Sequence, residues 1–141
     1  MNPFKTTCRV IYADTDTMGF VYHTNYFRWF EIARNELFGS VGLRYKKIEK
    51  KGFFLPVTEM FCKFISPVEY DDIIKIDTII DEKIKAGMKF NYSIFCENEK
   101  KLLAKGYTKH ACLDKNNKVV RPPAFLKEIT KSIIKQQRAD K

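Results

Sequence analysis

Apolar and polar residues alternate along this chain in two rhythms. Residues 5–12, KTTCRVIY, put Cys8, Val10 and Tyr12 on one face of a period-two pattern, which predicts a strand. From Asn25 to Phe38 the rhythm lengthens. Tyr26, Phe30, Ala33 and Leu37 recur at helical spacing, with Arg28, Glu31, Asn35 and Glu36 between them. Phe27, Trp29 and Ile32 widen the apolar surface beyond one stripe, so this helix is expected to be largely buried. Thr24 is its expected N-cap and Gly39 its expected stop. After a basic connector, RYKKIEKK (44–51), period two returns in 53–66, 72–82, 88–98 and 101–113. The stretches SPVEYDD, KAG, ENEK and DKNNK separate these runs with turn chemistry. Such short links predict an antiparallel meander; VVRPP ends it, and 124–136 reads as a tail helix. One strand, one long helix and four long strands give an α+β domain whose sheet curls round the helix. The strand segments carry apolar positions on both faces and the sheet has open edges, which predicts an obligate oligomer.

Composition narrows the class. At 141 residues the chain suits one domain with a real core, and 45% hydrophobic with 14% aromatic residues excludes a disordered polymer. The apolar runs are too short for a membrane-spanning helix, and MNPFKTTCRV lacks the apolar stretch of a signal peptide, so a cytoplasmic location is expected. Cys8, Cys62, Cys96 and Cys112 form no CxxC pair and read as reduced thiols. The net charge of +9 favours polyanionic partners, with lysines concentrated in 44–51 and 127–141. Solvated surface accounts for most of them, although a nucleotide-bearing ligand such as coenzyme A also gains from that field.

The candidate chemistry lies in YADTDTMGFVYHTNYFRWFEIARNELF, residues 12–38. Asp14, Asp16 and Gly19 match positions 1, 3 and 6 of a calcium loop, but Met18 and Asn25 fall where ligands are required. His23 and His110 are the only histidines and no CxxC pair accompanies them, so zinc is not expected either. Asp14 suits a turn. Asp16 lies too far ahead of the helix body to cap it. A carboxylate beside a helix N-terminus does face backbone N–H groups able to hold an oxyanion, which are the parts of acyl transfer.

This run closely resembles the hotdog-fold acyl-CoA thioesterases of the 4-hydroxybenzoyl-CoA thioesterase type, especially the bacterial Tol-Pal-associated branch. The family pattern D-x-D-x-x-G-x-V-Y-H-x-N-Y, followed by E-x-A-R, is met at Asp14, Asp16, Gly19, Val21, Tyr22, His23, Asn25, Tyr26, Glu31, Ala33 and Arg34. The likeness continues through CKFISPVEYDDIIKIDT and spans about residues 5–125. It implies a single hotdog domain that hydrolyses an acyl-CoA thioester to a free acid and coenzyme A, without metal or cofactor. Asp16 then matches the catalytic carboxylate, as nucleophile or general base. His23 matches the residue whose backbone N–H polarises the thioester carbonyl, its imidazole being either a substrate guide or an ordinary helix-start residue. Gly19 lets the loop turn, Tyr22 and Asn25 are candidates for pocket lining or loop anchoring, and Tyr26 belongs to the core. The family's edge-to-edge homodimer, often doubled to a homotetramer, places sites at the interface, making Phe61, Lys63 and Phe64 candidates from the partner strand.

Lys118 and Arg121 flank a surface turn and are candidates for coenzyme A phosphates. Glu31 and Arg34, at i and i+3, read as an ion pair, and His110 as structural. Three rivals remain. Acyl carrier protein, itself acidic, would serve as substrate on the same fold. A nucleic-acid-binding domain is suggested by charge alone, without a matching motif. A non-catalytic acyl-CoA binder is opposed by the intact acid motif.

Overall fold

The computed structural model describes residues 1–84, 86–98 and 100–139. Strand β1 spans Phe4–Arg9, followed by a single 3-10 turn at Tyr12–Asp14; helix α1 is Thr24–Ser40 and helix α2 is Tyr45–Lys50. Strands β2 (Val57–Phe64), β3 (Ile73–Ile80), β4 (Met88–Cys96) and β5 (Leu102–His110) follow, then helix α3 (Ala124–Arg138). All pairings are antiparallel, in the order β1-β3-β4-β5-β2. The registers put the Arg9, Phe64, Ile73 and Cys96 ends of the strands at one end of the sheet, and the Phe4, Val57, Ile80 and His110 ends at the other.

The apolar face of α1 explains its place. Tyr26, Trp29, Phe30, Ala33, Leu37 and Phe38 are buried, a stripe at i, i+3, i+4, i+7, i+11 and i+12 that lies on the inner face of the sheet. Phe30 stacks on Tyr92 of β4 at 4.1 Å between ring centroids, and Phe38 meets Phe90 edge-on at 5.7 Å. The outer face of the sheet is different. Lys75 and Asp77 of β3, Lys89 and Asn91 of β4, and Lys105 and Lys109 of β5 make it largely polar. Ile73 and Ile79 of β3, Phe95 of β4, Tyr107 of β5 and Phe61 of β2 share that face, so the expected apolar positions on both faces are present but are the minority on the outer one; the exposed apolar side chains lie on β2 and in loops, among them Tyr12, Phe20, Ile65 and Tyr70.

Several boundaries also differ from expectation, each for a local reason. β1 stops at Arg9 because the chain turns where the Asp14 carboxylate accepts the Ile11 N–H at 3.0 Å. α1 runs through Gly39 and ends at Gly42, whose φ of +76° suits only glycine well. There the Leu43 N–H reaches back to the Phe38 carbonyl at 3.0 Å and the Gly42 N–H to Gly39 at 3.1 Å, the Schellman closure. The expected connector holds α2, two turns too short to announce themselves by periodicity, anchored by buried Ile48. The tail helix is clamped by Gln137, whose amide accepts from the Ile80 N–H at 2.6 Å and donates to the Ile80 carbonyl at 3.1 Å. No described helix is long and apolar enough to cross a membrane.

Candidate active site

Asp14 and Asp16, two residues apart, do different work. Asp14 is buried and acts as a hub. Its carboxylate takes the Ile11 N–H and pairs with the Arg28 guanidinium, while its carbonyl accepts from the Asn25 amide at 2.8 Å and the Tyr22 N–H at 2.9 Å. These bonds fasten the loop to the first turns of α1. Asp16 is exposed, at the base of a small hairpin closed by Asp16 N–H to Phe20 carbonyl at 2.7 Å and by a Thr15–Val21 bridge. Its Oδ1 accepts from Met18 N–H at 2.8 Å and Phe20 N–H at 3.2 Å, a side-chain turn that orients the carboxylate. Among the described residues its Oδ2 has no protein donor. Gly19, at φ +83° on the tip, supplies the reversal.

α1 begins at its expected cap, Thr24, one residue earlier than predicted. His23 occupies the N-cap position, and neither it nor Thr24 caps through a side chain. The Asn25 and Tyr26 N–H groups turn back to Tyr22 and His23 carbonyls, whereas among the described residues the N–H groups of His23 and Thr24 meet no protein acceptor. The positive end of α1 adds to the pull of these two donors on an anion.

Beside them is a cleft of about 360 Å³ whose walls include Phe20, Val21, His23, Tyr26, Phe64 and Ile65. His23, Tyr26 and Phe64 are therefore brought together, with Phe64 meeting Tyr26 at 4.8 Å. Burial pushes the Tyr26 phenol up to about 12, so it is an uncharged wall. Asp16 does not line this cleft directly but stands on the hairpin whose Phe20 and Val21 do. The Tyr22 ring is exposed and packs on His23 at 4.5 Å; Asn25 serves as an anchor to Asp14.

Other candidates lie elsewhere. Phe61 and Lys63 point to the outer face of β2, where Phe61 stacks on Tyr107, while Phe64 and Cys62 face the helix. Lys118 and Arg121 follow the His110 end of the sheet, opposite the Asp16 end. The Glu31–Arg34 ion pair does not form among the described residues. Phe20, Ile65 and Arg28 were not singled out from the sequence. Arg28 sits fourteen residues from Asp14, a separation at which no local spacing rule operates.

The family model of the thioesterase-like superfamily matches residues 10–130. The acyl-CoA thioesterase YbgC of Haemophilus influenzae is 29% identical over 129 residues, covering 91% of this chain and 92% of that one. A crystal structure of a hypothetical protein from Aquifex aeolicus is 34% identical with a TM-score of 0.85, covering 91% of this chain and 99% of that one. A DHNA-CoA thioesterase from Staphylococcus aureus is 29% identical with a TM-score of 0.86, covering 97% and 92%. The chain belongs to the thioesterase-like superfamily: it is a thioester hydrolase with the hotdog fold.

Proposed function

We propose that the protein is an acyl-CoA thioesterase in which Asp16 supplies the reacting carboxylate and the His23 and Thr24 N–H groups hold the thioester oxygen. The observation that carries this reading is the Asp16 Oδ2, without a protein donor among the described residues, on a hydrogen-bonded hairpin whose Phe20 and Val21 wall the cleft at the start of α1, where the His23 and Thr24 N–H groups meet no protein acceptor among the described residues. As the carbonyl carbon is attacked, its oxygen gains charge, and donors already in place stabilise that charge without reorganisation. The attacking group is Asp16 itself or a water from which Asp16 takes the proton. In both routes the C–S bond breaks and coenzyme A leaves as its thiolate, which takes up a proton; the water route gives the free acid directly, whereas direct attack leaves an acyl–Asp16 anhydride that a water molecule then hydrolyses to the free acid and the Asp16 carboxylate.

The working unit in this proposal is a homodimer joined through β2, or two such dimers as a homotetramer. With a two-fold axis between Met60 and Phe61, antiparallel pairing would set Val57 of one copy beside Phe64 of the other. It also carries Lys118 and Arg121 of one copy toward the Asp16 end of the other, where the coenzyme A phosphates would lie. Four unpaired cysteines suit a cytoplasmic setting. An acyl-carrier-protein thioester would use the same chemistry, and turnover of a matched CoA and carrier pair separates the two.

Asp16→Asn keeps the size of the side chain and one acceptor oxygen for the turn, but not a nucleophile or a useful base. We expect kcat to fall by about 10²-fold or more, with circular dichroism and CoA-ester binding unchanged. Asp14→Asn should instead lower stability by about 1–3 kcal/mol, since it leaves a buried hub without its charge pair. Near-normal turnover in Asp16→Asn, or loss through unfolding alone, would refute the assignment.

A further inference from the structure

The cleft at the start of α1 is apolar over most of its wall, where Phe20, Val21, Phe64, Ile65, Pro67 and Val68 face it. Its polar members are His23, Ser66 and Tyr26, and of these only Tyr26 is buried, with 3% of its surface exposed. The Tyr26 ring is fixed edge-on against Trp29 at 5.1 Å and Phe64 at 4.8 Å. Two tyrosines are buried among the described residues, Tyr26 and Tyr92, and they differ at the hydroxyl. The Tyr92 hydroxyl bonds to Thr108 at 2.7 Å, as a buried phenol ordinarily finds a partner. The Tyr26 hydroxyl has no protein partner among the described residues. It is not sealed from solvent either, since the sealed and unbonded side-chain oxygens among those residues are those of Thr6 and Thr78. It opens on the cleft that Tyr26 lines.

Its place on the helix directs that hydroxyl. Tyr26 is the third residue of α1, and helical side chains lean toward the helix N-terminus. The phenol therefore shares the end of α1 with the His23 and Thr24 N–H groups. Burial, with Cys62 adding to it, pushes the phenol up to about 12, whereas an ordinary thiol ionises at about 8.5. Tyr26 is thus a standing donor, too weak an acid to surrender its proton to a thiolate. Three donors at one site exceed what a carbonyl oxygen takes, because its two lone pairs are filled by the two N–H groups. When a thioester breaks, the other atom that gains negative charge is the sulfur.

We propose that Tyr26 is a further catalytic residue, whose hydroxyl donates a hydrogen bond to the thioester sulfur as the C–S bond breaks. The proposal rests on the acyl-CoA reading above and needs the cleft of one chain only. The electron pair of the C–S bond passes to sulfur, and the phenol O–H stabilises the thiolate while keeping its own proton. The thiolate then takes a proton from solvent. Water supplies the new oxygen of the acid by either route through Asp16, so the sum is thioester plus water giving acid plus thiol.

The test sets one acyl group on two leaving groups. One is coenzyme A, an alkyl thiol; the other is 4-nitrothiophenol, whose thiolate spreads its charge into the ring and leaves with little help. Tyr26→Phe keeps the ring and its packing. It should lower kcat/KM for the CoA ester by about 10- to 100-fold, the worth of a hydrogen bond to a charged group, and leave the aryl thioester nearly unchanged. An equal loss on both esters, or no loss on the CoA ester, overturns the proposal. Asp16→Asn should slow both esters; if it slows neither, the Asp16 reading fails by itself and the Tyr26 comparison is read as before. Should Tyr26→Phe not fold, or the aryl ester not be cleaved, the thiolate absorbance of coenzyme A bound to the native protein decides. Ionisation at a lower pH than in free coenzyme A supports the proposal, and unchanged ionisation or absent binding overturns it.

Discussion

Burial pushes the His110 imidazole down to about 4 from an ordinary 6.5, with the Leu55 carbonyl opposing the shift and the Arg34 charge adding to it. A histidine whose folded value is depressed stabilises the fold above its unfolded value, because only the unfolded chain takes up the proton below it. That stability is complete above pH 6.5 and is lost as pH falls through about 4. The full shift corresponds to at most about 3 kcal/mol. His110→Gln keeps a donor and an acceptor but cannot titrate. Between pH 7.5 and 4.5, urea denaturation should show the native protein losing about 2 kcal/mol more than this variant. Parallel curves would mean that His110 does not carry the acid sensitivity. The structural role expected for His110 is what its two bonds show, but its partners lie in β5 and in the loop before β2, beyond the reach of spacing rules. The same holds for Asp14. Its turn was legible in the sequence, whereas its partner Arg28 was not, because the pair forms only once the loop folds back on α1.

Among the elements, strand and helix identities were legible because each buries one face, and a face leaves a period. Tyr26, Phe30, Ala33 and Leu37 are all buried as their spacing requires. What failed were stops and short pieces: Gly39 lies inside α1, and α2 has too few residues for a period. Period two also held more than was drawn from it. Phe61 and Lys63 share parity and Phe64 does not, so one side of the strand cannot present all three. Gly106 shows a constraint at this scale. It pairs with Cys62 of β2 and Tyr92 of β4, and a Cβ there would collide with the Phe61 carbonyl oxygen and press on the Phe30 ring. Backbone in a ladder cannot yield as a side-chain tip can. Gly106→Ala should therefore cost about 1–3 kcal/mol, as overpacking does, and loosen β2 first. Denaturation midpoints measure the cost, and amide exchange should show protection lost in β2 and β5 before β3. An unchanged midpoint would show that the sheet accommodates the methyl group.

For the molecule as a whole, the two sheet edges are unlike. β1 is six residues long and carries Lys5, paired to Asp77 of β3, and Arg9, paired to Asp71 in the turn before β3, a blunted edge in the usual manner. β2 has eight residues and exposes Met60, Phe61 and Phe64 at 47–48% of their surface. Lysines on the outer sheet face already cover the rings a nucleic acid would stack on. Lys89 and Lys109 lie over Tyr107, and Lys75 over Phe95. An apolar edge beside a polar face favours one kind of contact, with a second copy of the same strand. Sedimentation should thus give a particle of at least twice 16.6 kDa. Met60→Lys puts on β2 the charge that keeps β1 solitary, without touching Asp16, His23 or the cleft between α1 and Phe64. Its expected outcome is a folded monomer with little turnover of CoA esters, because the Lys118 and Arg121 proposed for the coenzyme A phosphates and the Asp16 site then belong to separate particles. A native monomer with full activity, or a monomeric Met60→Lys that still turns over normally, would show that each chain holds a whole site.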